Sequence, residues 1–175
     1  GPTAVGKGTV VAALTKRFPT LNVSISATTR DPRPGELNGV HYYFVSTQEF
    51  DAMIERGDML EWALVHGKNK YGTPRGPVDE ALAAGKPVLL EIDLAGARQV
   101  RTTRPDAQFI FLAPPSWEEL ERRLIGRGTE SPEEQARRLT TARVELEAAS
   151  EFDHVVINDD VERAVDELAR LIGLE

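Results

Sequence analysis

Apolar and polar positions follow two different periods along this chain, and each period predicts a different kind of element. Helical spacing of apolar residues predicts helices over 9–18 and 161–172. Runs of strand length that alternate or are continuously apolar predict strands at 21–27, 41–46, 59–66, 87–93, 107–112 and 154–158. Because strands alternate with helices, we expect an α/β fold in which a parallel sheet is covered on both faces.

Capping boxes mark three further helix starts. In a capping box a serine hydroxyl accepts a hydrogen bond from the main-chain N–H of a glutamate three residues later. The pairs are Ser46 with Glu49, Ser116 with Glu119, and Ser131 with Glu134. Strand signals are densest between residues 21 and 73, which predicts a small, mostly β insertion.

Composition and charge narrow the class of protein. The 175 residues, 41% hydrophobic and 28% charged, fit one compact domain with small inserted subdomains. The net charge of −7 argues against a general nucleic-acid binder, whose phosphate contacts need a basic surface. No apolar run approaches the length of a membrane span. Any anion site must therefore be a local basic cluster.

The first nine residues, GPTAVGKGT, fit a phosphate-binding loop. Glycines at positions 1 and 6 would let main-chain N–H groups surround a phosphate at the positive end of the next helix, with Lys7 reaching the β- and γ-phosphates. The alternative is a glycine-rich turn with a solvated lysine. Gly8 stands where the pattern has serine or threonine, so we expect Mg²⁺ to be held by nucleotide phosphates and water.

Such a loop normally follows a strand. We therefore expect the sheet to need a strand ahead of residue 1, and the 175 residues alone to fold poorly.

A second basic cluster lies in the segment SATTRDPRPGELNGVHYYF, residues 26–44. Arg30 and Arg33 are three residues apart between prolines, and Tyr42 follows Gly39. Forked guanidinium donors and a phenol hydroxyl suit a second phosphate. A turn with solvated arginines is the alternative.

Two carboxylates end the run PVLLEID. Glu91 and Asp93 are two residues apart, so they leave the same face of the predicted strand. They lie at its C-terminal end, where open parallel sheets bind ligands. A binding site is favoured because buried strands rarely carry two carboxylates. The alternative is that Asp93 caps a helix from Ala95 onward.

The segment RRLIGRGTESPEEQARRL, residues 122–139, is rich in arginine. Arg123 and Arg127 share a helix face, and Arg137 and Arg138 follow a glycine-bearing turn. Interspersed glutamates leave open a solvent-exposed face with ion pairs.

Several motifs follow one another along the chain in an order that resembles the guanylate kinase family, which transfers a phosphoryl group from ATP to GMP. They are the loop of residues 1–9 and then TTRDPRPGE, LEWA, YGT, EID and GRGTE. The resemblance implies a P-loop core with a three-layer parallel sheet (1–27, 74–116 and 144–175), a small mostly β GMP-binding subdomain (28–73) and a helical lid (117–143). It further implies a cytoplasmic enzyme of purine metabolism whose substrates are ATP and GMP, with Mg²⁺ as cofactor.

Carried over by motif, the resemblance assigns individual residues. The expected catalytic residues are Lys7, Arg30, Arg123, Arg127 and Arg138, with Arg137 expected to be solvated. The expected ATP-binding residues are Gly1, Ala4, Val5, Gly6, Lys7, Gly8, Thr9 and Asn158. The expected GMP-binding residues are Ser26, Arg30, Arg33, Tyr42, Glu61, Tyr71, Thr73, Glu91 and Asp93. Thr9 and Asp93 are the candidate protein contacts to Mg²⁺.

The guanine assignment also follows from the chemistry of the base. Guanine presents N1–H and its 2-amino group as adjacent donors and O6 as an acceptor. An ionised carboxylate can accept from both donors, and a hydroxyl can donate to O6. Glu61 with the hydroxyls of Ser26 and Thr73 would therefore select guanine over adenine.

Other functions remain open at this stage. A non-catalytic scaffold domain of the same fold would bind phosphorylated peptides, but the intact Gly6-Lys7 pair argues against it. A kinase for another small phosphate acceptor would not need Glu61 with two hydroxyls. A broad ATPase would lack the second arginine cluster.

Overall fold

The computed structural model describes residues 1–2, 4–126 and 130–174, which form a mixed α/β structure. Its helices are α1 (Lys7–Arg17), α2 (Thr47–Glu55), α3 (Arg75–Ala83), α4 (Leu94–Thr103), α5 (Trp117–Ile125), α6 (Pro132–Glu147) and α7 (Val161–Ile172). Its strands are β1 (Asn22–Val23), β2 (Ala27–Thr28), β3 (Tyr43–Phe44), β4 (Met59–Val65), β5 (Asn69–Pro74), β6 (Val88–Leu89), β7 (Ile110–Ala113) and β8 (His154–Ile157). They belong to two compact units: Gly1–Thr20 with Gln108–Glu175, and Leu21–Ala107.

The first unit contains the predicted phosphate-binding loop. Strands β7 and β8 pair in parallel, from Ile110 with His154 to Ala113 with Ile157. Helices α1 and α7 pack together, and Arg17 joins them through ion pairs with Glu162 and Asp166. Helices α5 and α6 form a separate apolar cluster, in which the Arg143 guanidinium lies 4.1 Å from the centre of the Trp117 ring.

The second unit is built on a four-stranded sheet in the order β3-β2-β5-β4. Strands β2 and β3 run parallel, whereas β5 is antiparallel to both β2 and β4. One face packs on α2 through Phe50, which contacts Ala27, Met59 and Trp62. Strands β1 and β6 form a separate parallel pair in this unit.

The three predicted capping boxes are confirmed. The hydroxyl oxygens of Ser46, Ser116 and Ser131 accept hydrogen bonds from the main-chain N–H three residues later, at 3.0, 3.1 and 3.2 Å. The helix predicted over 161–172 has these bounds in the structure. Helix α1 begins two residues earlier than predicted, because Gly6 at φ +94° turns the chain directly into Lys7.

Several predicted strands are shorter than expected, and the described residues do not form one parallel sheet. The run 21–27 divides into β1 and β2 because its two ends have different partners, β6 for the first and β3 with β5 for the second. The run 87–93 contains only β6, because the chain turns into α4 at Asp93. Each unit therefore contains one separate two-stranded parallel sheet, and the mixed four-stranded sheet lies in the second unit.

No helix among the residues described is both long enough and apolar enough to span a bilayer.

Replacement of Phe50 tests the core of the second unit. Phe50 is 0% exposed, so Phe50→Ala should lower the free energy of unfolding by about 3–5 kcal/mol through lost burial and the cavity left behind. Urea denaturation followed by tryptophan fluorescence measures this change. Leu64→Ala is the matched control, because Leu64 is 54% exposed and its loss should change stability by less than about 0.5 kcal/mol. Equal effects of the two substitutions would contradict the packing described.

Candidate functional site

The loop of residues 1–6 requires glycine at both of its ends. A Cβ at Gly1 would lie 2.1 Å from the carbonyl oxygen of Leu112, so only glycine allows the chain to pass this close to β7. Gly6 has φ +94°, and a Cβ there would lie 2.8 Å from the Asn158 amide nitrogen. The glycine spacing predicted from the sequence therefore has a steric cause at both positions.

Side chains from three places hold the carbonyl groups of this loop. The buried Asn158 donates from Nδ2 to the Val5 carbonyl at 2.8 Å. Arg123 donates from Nη1 to the carbonyls of Val5 and Ala4 at 3.3 and 3.4 Å, and Lys7 donates from Nζ to the carbonyl of Gly1 at 3.0 Å. Because carbonyl oxygens repel anions, engaging them with donors favours a phosphate at the start of α1.

The other predicted site residues described in this unit are exposed. Gly8 and Thr9 are exposed in the first turn of α1. Arg138 is exposed on α6 and pairs with Glu130, whose Oε1 lies 2.5 Å from its Nη2. Arg137 is also exposed, as its expected solvation requires. Arg127 lies outside the described residues.

In the second unit, Arg30 is the centre of a cluster that also contains Tyr42 and Tyr71. Its side chain is only 12% exposed and donates from Nε to the Tyr71 hydroxyl oxygen at 3.1 Å. Its guanidinium carbon lies 5.2 Å from the centre of the Tyr42 ring, whose centroid is 5.9 Å from that of Tyr71. The structure thus brings together three of the four residues expected to bind the GMP phosphate. The fourth, Arg33, is exposed.

A carboxylate already occupies the fork of Arg30. Nη1 and Nη2 donate to the two oxygens of Glu36 at 2.9 and 3.0 Å, and the main-chain N–H of Arg33 donates to Glu36 at 2.7 Å. The Arg30 guanidinium, followed by the Arg33 N–H, lowers the pKa of Glu36 to about 2. Glu36 is therefore ionised at neutral pH. Sequence analysis did not assign it, although a glutamate three residues after Arg33 could have indicated the pair.

Two of the three residues expected to recognise guanine lie on neighbouring strands, and the third, Ser26, directly precedes β2. Thr73 on β5 pairs with Glu61 on β4, and Ser26 directly precedes the pair of Ala27 with Gly72. The buried Thr73 hydroxyl donates to Oε1 of Glu61 at 2.9 Å. The structure therefore brings the carboxylate and one of the two hydroxyls into direct contact.

The register of this pairing depends on the turn between β4 and β5. His66 and Gly67 both have positive φ, 53° and 62°, and the Lys68 N–H donates to the Val65 carbonyl at 3.1 Å. Positive φ at both central residues is typical of tight hairpins. The strand predicted over 59–66 therefore ends at Val65, and the turn fixes which residues of β5 oppose Glu61.

Glu61 has an unusual electrostatic environment. Partial burial raises the pKa of its carboxyl group, and the negative charge of Asp93 raises it further. The hydrogen bond from Thr73 acts in the opposite direction because it stabilises the ionised form. The carboxylate is thus held partly out of water with one donor already in place.

The prediction that Glu91 and Asp93 share a strand face is wrong. Both residues are exposed and lie beyond the end of β6 at Leu89. Oδ1 of Asp93 accepts a hydrogen bond from the Gly96 N–H at 2.8 Å, which makes Asp93 the N-cap of α4. The capping alternative considered from the sequence therefore applies, and the cap begins the helix at Leu94.

Within the described part of the chain, no group of three or more histidine or carboxylate side chains is arranged to hold a metal ion.

Comparison with known proteins identifies the relatives of this chain. The family model for guanylate kinase matches residues 1–175. The chain is 59% identical over 174 residues to a guanylate kinase of Cutibacterium acnes, covering 99% of this chain and 87% of that protein. It is 60% identical over 172 residues to one of Nocardia farcinica, covering 98% and 89%. The crystal structure of guanylate kinase from Anaplasma phagocytophilum matches with a TM-score of 0.72 at 32% identity, covering 96% of this chain and 81% of that one.

Replacement of Glu61 should raise stability at neutral pH. A carboxyl whose pKa is higher in the folded state than the unfolded value of about 4.5 binds protons more tightly when folded. Stability therefore decreases as pH rises from the unfolded pKa through the folded pKa. Glu61→Gln removes this charge, and its melting temperature without ligand should exceed that of the wild type near pH 7.5. The gain should shrink toward pH 4.

The matched control is Glu80→Gln, because Glu80 is exposed in the middle of α3. Its melting temperature should follow that of the wild type at every pH. A Glu61→Gln difference that does not vary with pH in thermal denaturation would contradict the assigned burial of charge.

Proposed function

Because this chain belongs to the guanylate kinase family and transfers a phosphoryl group from ATP to GMP, we propose which of its residues serve each nucleotide. In this proposal, residues 28–73 form a GMP-binding subdomain and residues 117–143 form a lid. Residues 1–27, 74–116 and 144–175 form the P-loop core, which includes the parallel pairs β1-β6 and β7-β8.

Glu61 recognises guanine in this proposal. The observation that carries the assignment is the half-buried Glu61 carboxylate, held by the Thr73 hydroxyl. A carboxylate can only accept hydrogen bonds, and the N1–H and 2-amino group of guanine are the adjacent donors it requires. Binding would replace the water that Glu61 has partly lost with two charge-assisted hydrogen bonds, which are stronger than those between neutral groups. The hydroxyl of Ser26, directly ahead of β2, donates to O6.

The cluster of Arg30, Arg33, Tyr42 and Tyr71 binds the GMP phosphate. Arg30 is held in place by hydrogen bonds to Glu36 and Tyr71, and a bound phosphate would share the guanidinium with Glu36. Phosphate monoesters have a second pKa near ~6, so the phosphate of GMP is largely a dianion at neutral pH. Such an oxygen can attack without a strong general base.

The loop of residues 1–9 binds the phosphates of ATP. Phosphoryl transfer passes through a loose transition state that needs alignment and charge neutralisation rather than covalent help from the protein. Lys7 stabilises charge on the transferred group, assisted by Arg123, Arg127 and Arg138. Asn158 holds the loop through a hydrogen bond to the Val5 carbonyl. In this proposal it also lies at the end of the adenine pocket.

Mg²⁺ bound to the ATP phosphates supplies further charge neutralisation, and Thr9 and Asp93 are the residues that would contact its water shell. Closure of the lid excludes water, which otherwise competes with GMP as the acceptor.

Lys7→Ala tests the ATP site. Loss of a cation that stabilises the transition state should reduce kcat by ~10²-fold or more, with little change in the KM for GMP. Steady-state ADP formation measures both constants. The matched control is Lys16→Ala, because Lys16 is an exposed lysine in the last turn of the same helix, and it should keep wild-type kcat. A Lys7→Ala enzyme with unchanged kcat would remove Lys7 from the mechanism.

Acceptor specificity tests the guanine site. With GMP, AMP, CMP and UMP as acceptors, the wild type should form ADP rapidly only with GMP. Glu61→Gln should raise the KM for GMP by roughly tenfold or more, because the amide presents a donor to one of the two base donors. Glu80→Gln should leave that KM unaltered. If Glu61→Gln also leaves it unaltered, Glu61 does not recognise guanine.

A further inference from the structure

Glu61 lies on the outermost strand of the four-stranded sheet, directly after an irregularity. Strand β4 is last in the order β3-β2-β5-β4 and pairs on one side with β5. Met59 pairs with Pro74 and Glu61 with Thr73, so Leu60 is an extra residue in β4. A bulge of this kind redirects the side chains that follow it. Without it, the strand would turn Glu61 to the opposite face of the sheet.

Helix α4 supplies the hydrogen bonds that a further strand would give to the outer side of β4. The side-chain amide of Gln99 accepts from the Trp62 N–H at 2.9 Å and donates to the Trp62 carbonyl at 2.8 Å. One turn later, the Thr103 hydroxyl donates to the Leu60 carbonyl at 2.7 Å. The main chain is therefore held on both sides of Glu61, at the bulge and immediately after it.

The same face of α4 also limits where the Glu61 carboxylate can lie. Gly96, Gln99 and Thr103 are three and four residues apart, which places them on one side of the helix. A Cβ at Gly96 would lie 3.3 Å from Oε2 of Glu61, so a side chain at this position would crowd the carboxylate. We call Gly96, Gln99 and Thr103 the contact face of α4.

We propose that Gln99 is a positioning residue for guanine recognition, which holds the bulged strand so that the Glu61 carboxylate can accept from both donors of the base. This inference rests on the proposed function of Glu61. A glutamine amide suits the task because it carries one acceptor and one donor, as a main-chain peptide of a neighbouring strand does. Exposed edge groups can bond to water, but water does not fix the strand relative to α4.

The test compares GMP with inosine monophosphate, whose base keeps N1–H but lacks the 2-amino group. The ratio of kcat/KM for GMP to kcat/KM for inosine monophosphate measures how well the carboxylate accepts from both donors. Both substrates are assayed with the same enzyme sample, so a fraction of unfolded protein cancels from the ratio. This readout distinguishes positioning of Glu61 from a general loss of stability.

Gln99→Met keeps the length of the side chain and removes both hydrogen bonds to Trp62. It should lower the ratio by about fivefold to tenfold, and it should have little further effect when Glu61 is already replaced in Glu61→Gln. The KM for ATP should stay at the wild-type value. Gln48→Met, at an exposed glutamine of α2, is the matched control and should keep the wild-type ratio.

Two outcomes would overturn the inference while leaving the proposed function intact. In the first, Glu61→Gln lowers the ratio and Gln99→Met does not. In the second, the effects of the two substitutions multiply, which would show that Gln99 acts on something other than Glu61. If Glu61→Gln itself leaves the ratio unchanged, the guanine assignment fails and this inference fails with it.

Thr103→Val provides a second test of the same idea if Gln99→Met does not fold. It removes the hydroxyl that donates to Leu60 at nearly constant volume, on the other side of the bulge. Its ratio should also decrease, and the decrease should again disappear in the Glu61→Gln background. A wild-type ratio in Thr103→Val would overturn the role of the contact face of α4.

Discussion

A negative charge held partly out of water is the constraint on which the second unit of this protein depends. Burial makes ionisation of Glu61 unfavourable, and nearby Asp93 adds repulsion. The surrounding structure compensates only in part, through the Thr73 hydroxyl. The bulge in β4, the tight turn at His66 and Gly67, and the main-chain contacts of α4 all fix the position of this incompletely satisfied group. Its remaining capacity to accept hydrogen bonds is what a base with two adjacent donors can use.

The cluster of Arg30, Tyr42 and Tyr71 in the same unit has the opposite electrostatic arrangement. Arg30 is mostly buried, yet its charge is compensated by Glu36 before any ligand arrives. The proposed base site is therefore short of donors, whereas the proposed phosphate site has its cation already paired. In the other unit, the loop of residues 1–6 has its carbonyls engaged by Asn158, Arg123 and Lys7, which leaves the start of α1 suited to anions.

Local signals in the sequence predicted those features that depend on neighbouring residues. Capping boxes depend on a serine and a glutamate three positions apart, and all three are confirmed. Ordered motifs identified the family, because each motif occupies its own place along the chain. Sequence analysis did not assign Gln99, and it placed Asp93 on a strand. Gln99 binds Trp62, 37 residues away, and Asp93 belongs to a helix cap because β6 ends early, which its apolar run did not indicate.

At the proposed phosphate site, the pairing of Arg30 with Glu36 would oppose the binding of small anions. Inorganic phosphate or sulfate would have to share the Arg30 fork with a carboxylate that stays ionised at neutral pH. A nucleotide brings a base whose binding free energy can offset that cost. With the assignments proposed above, an internal anion in the fork would make the site respond to the whole nucleotide rather than to its charge alone.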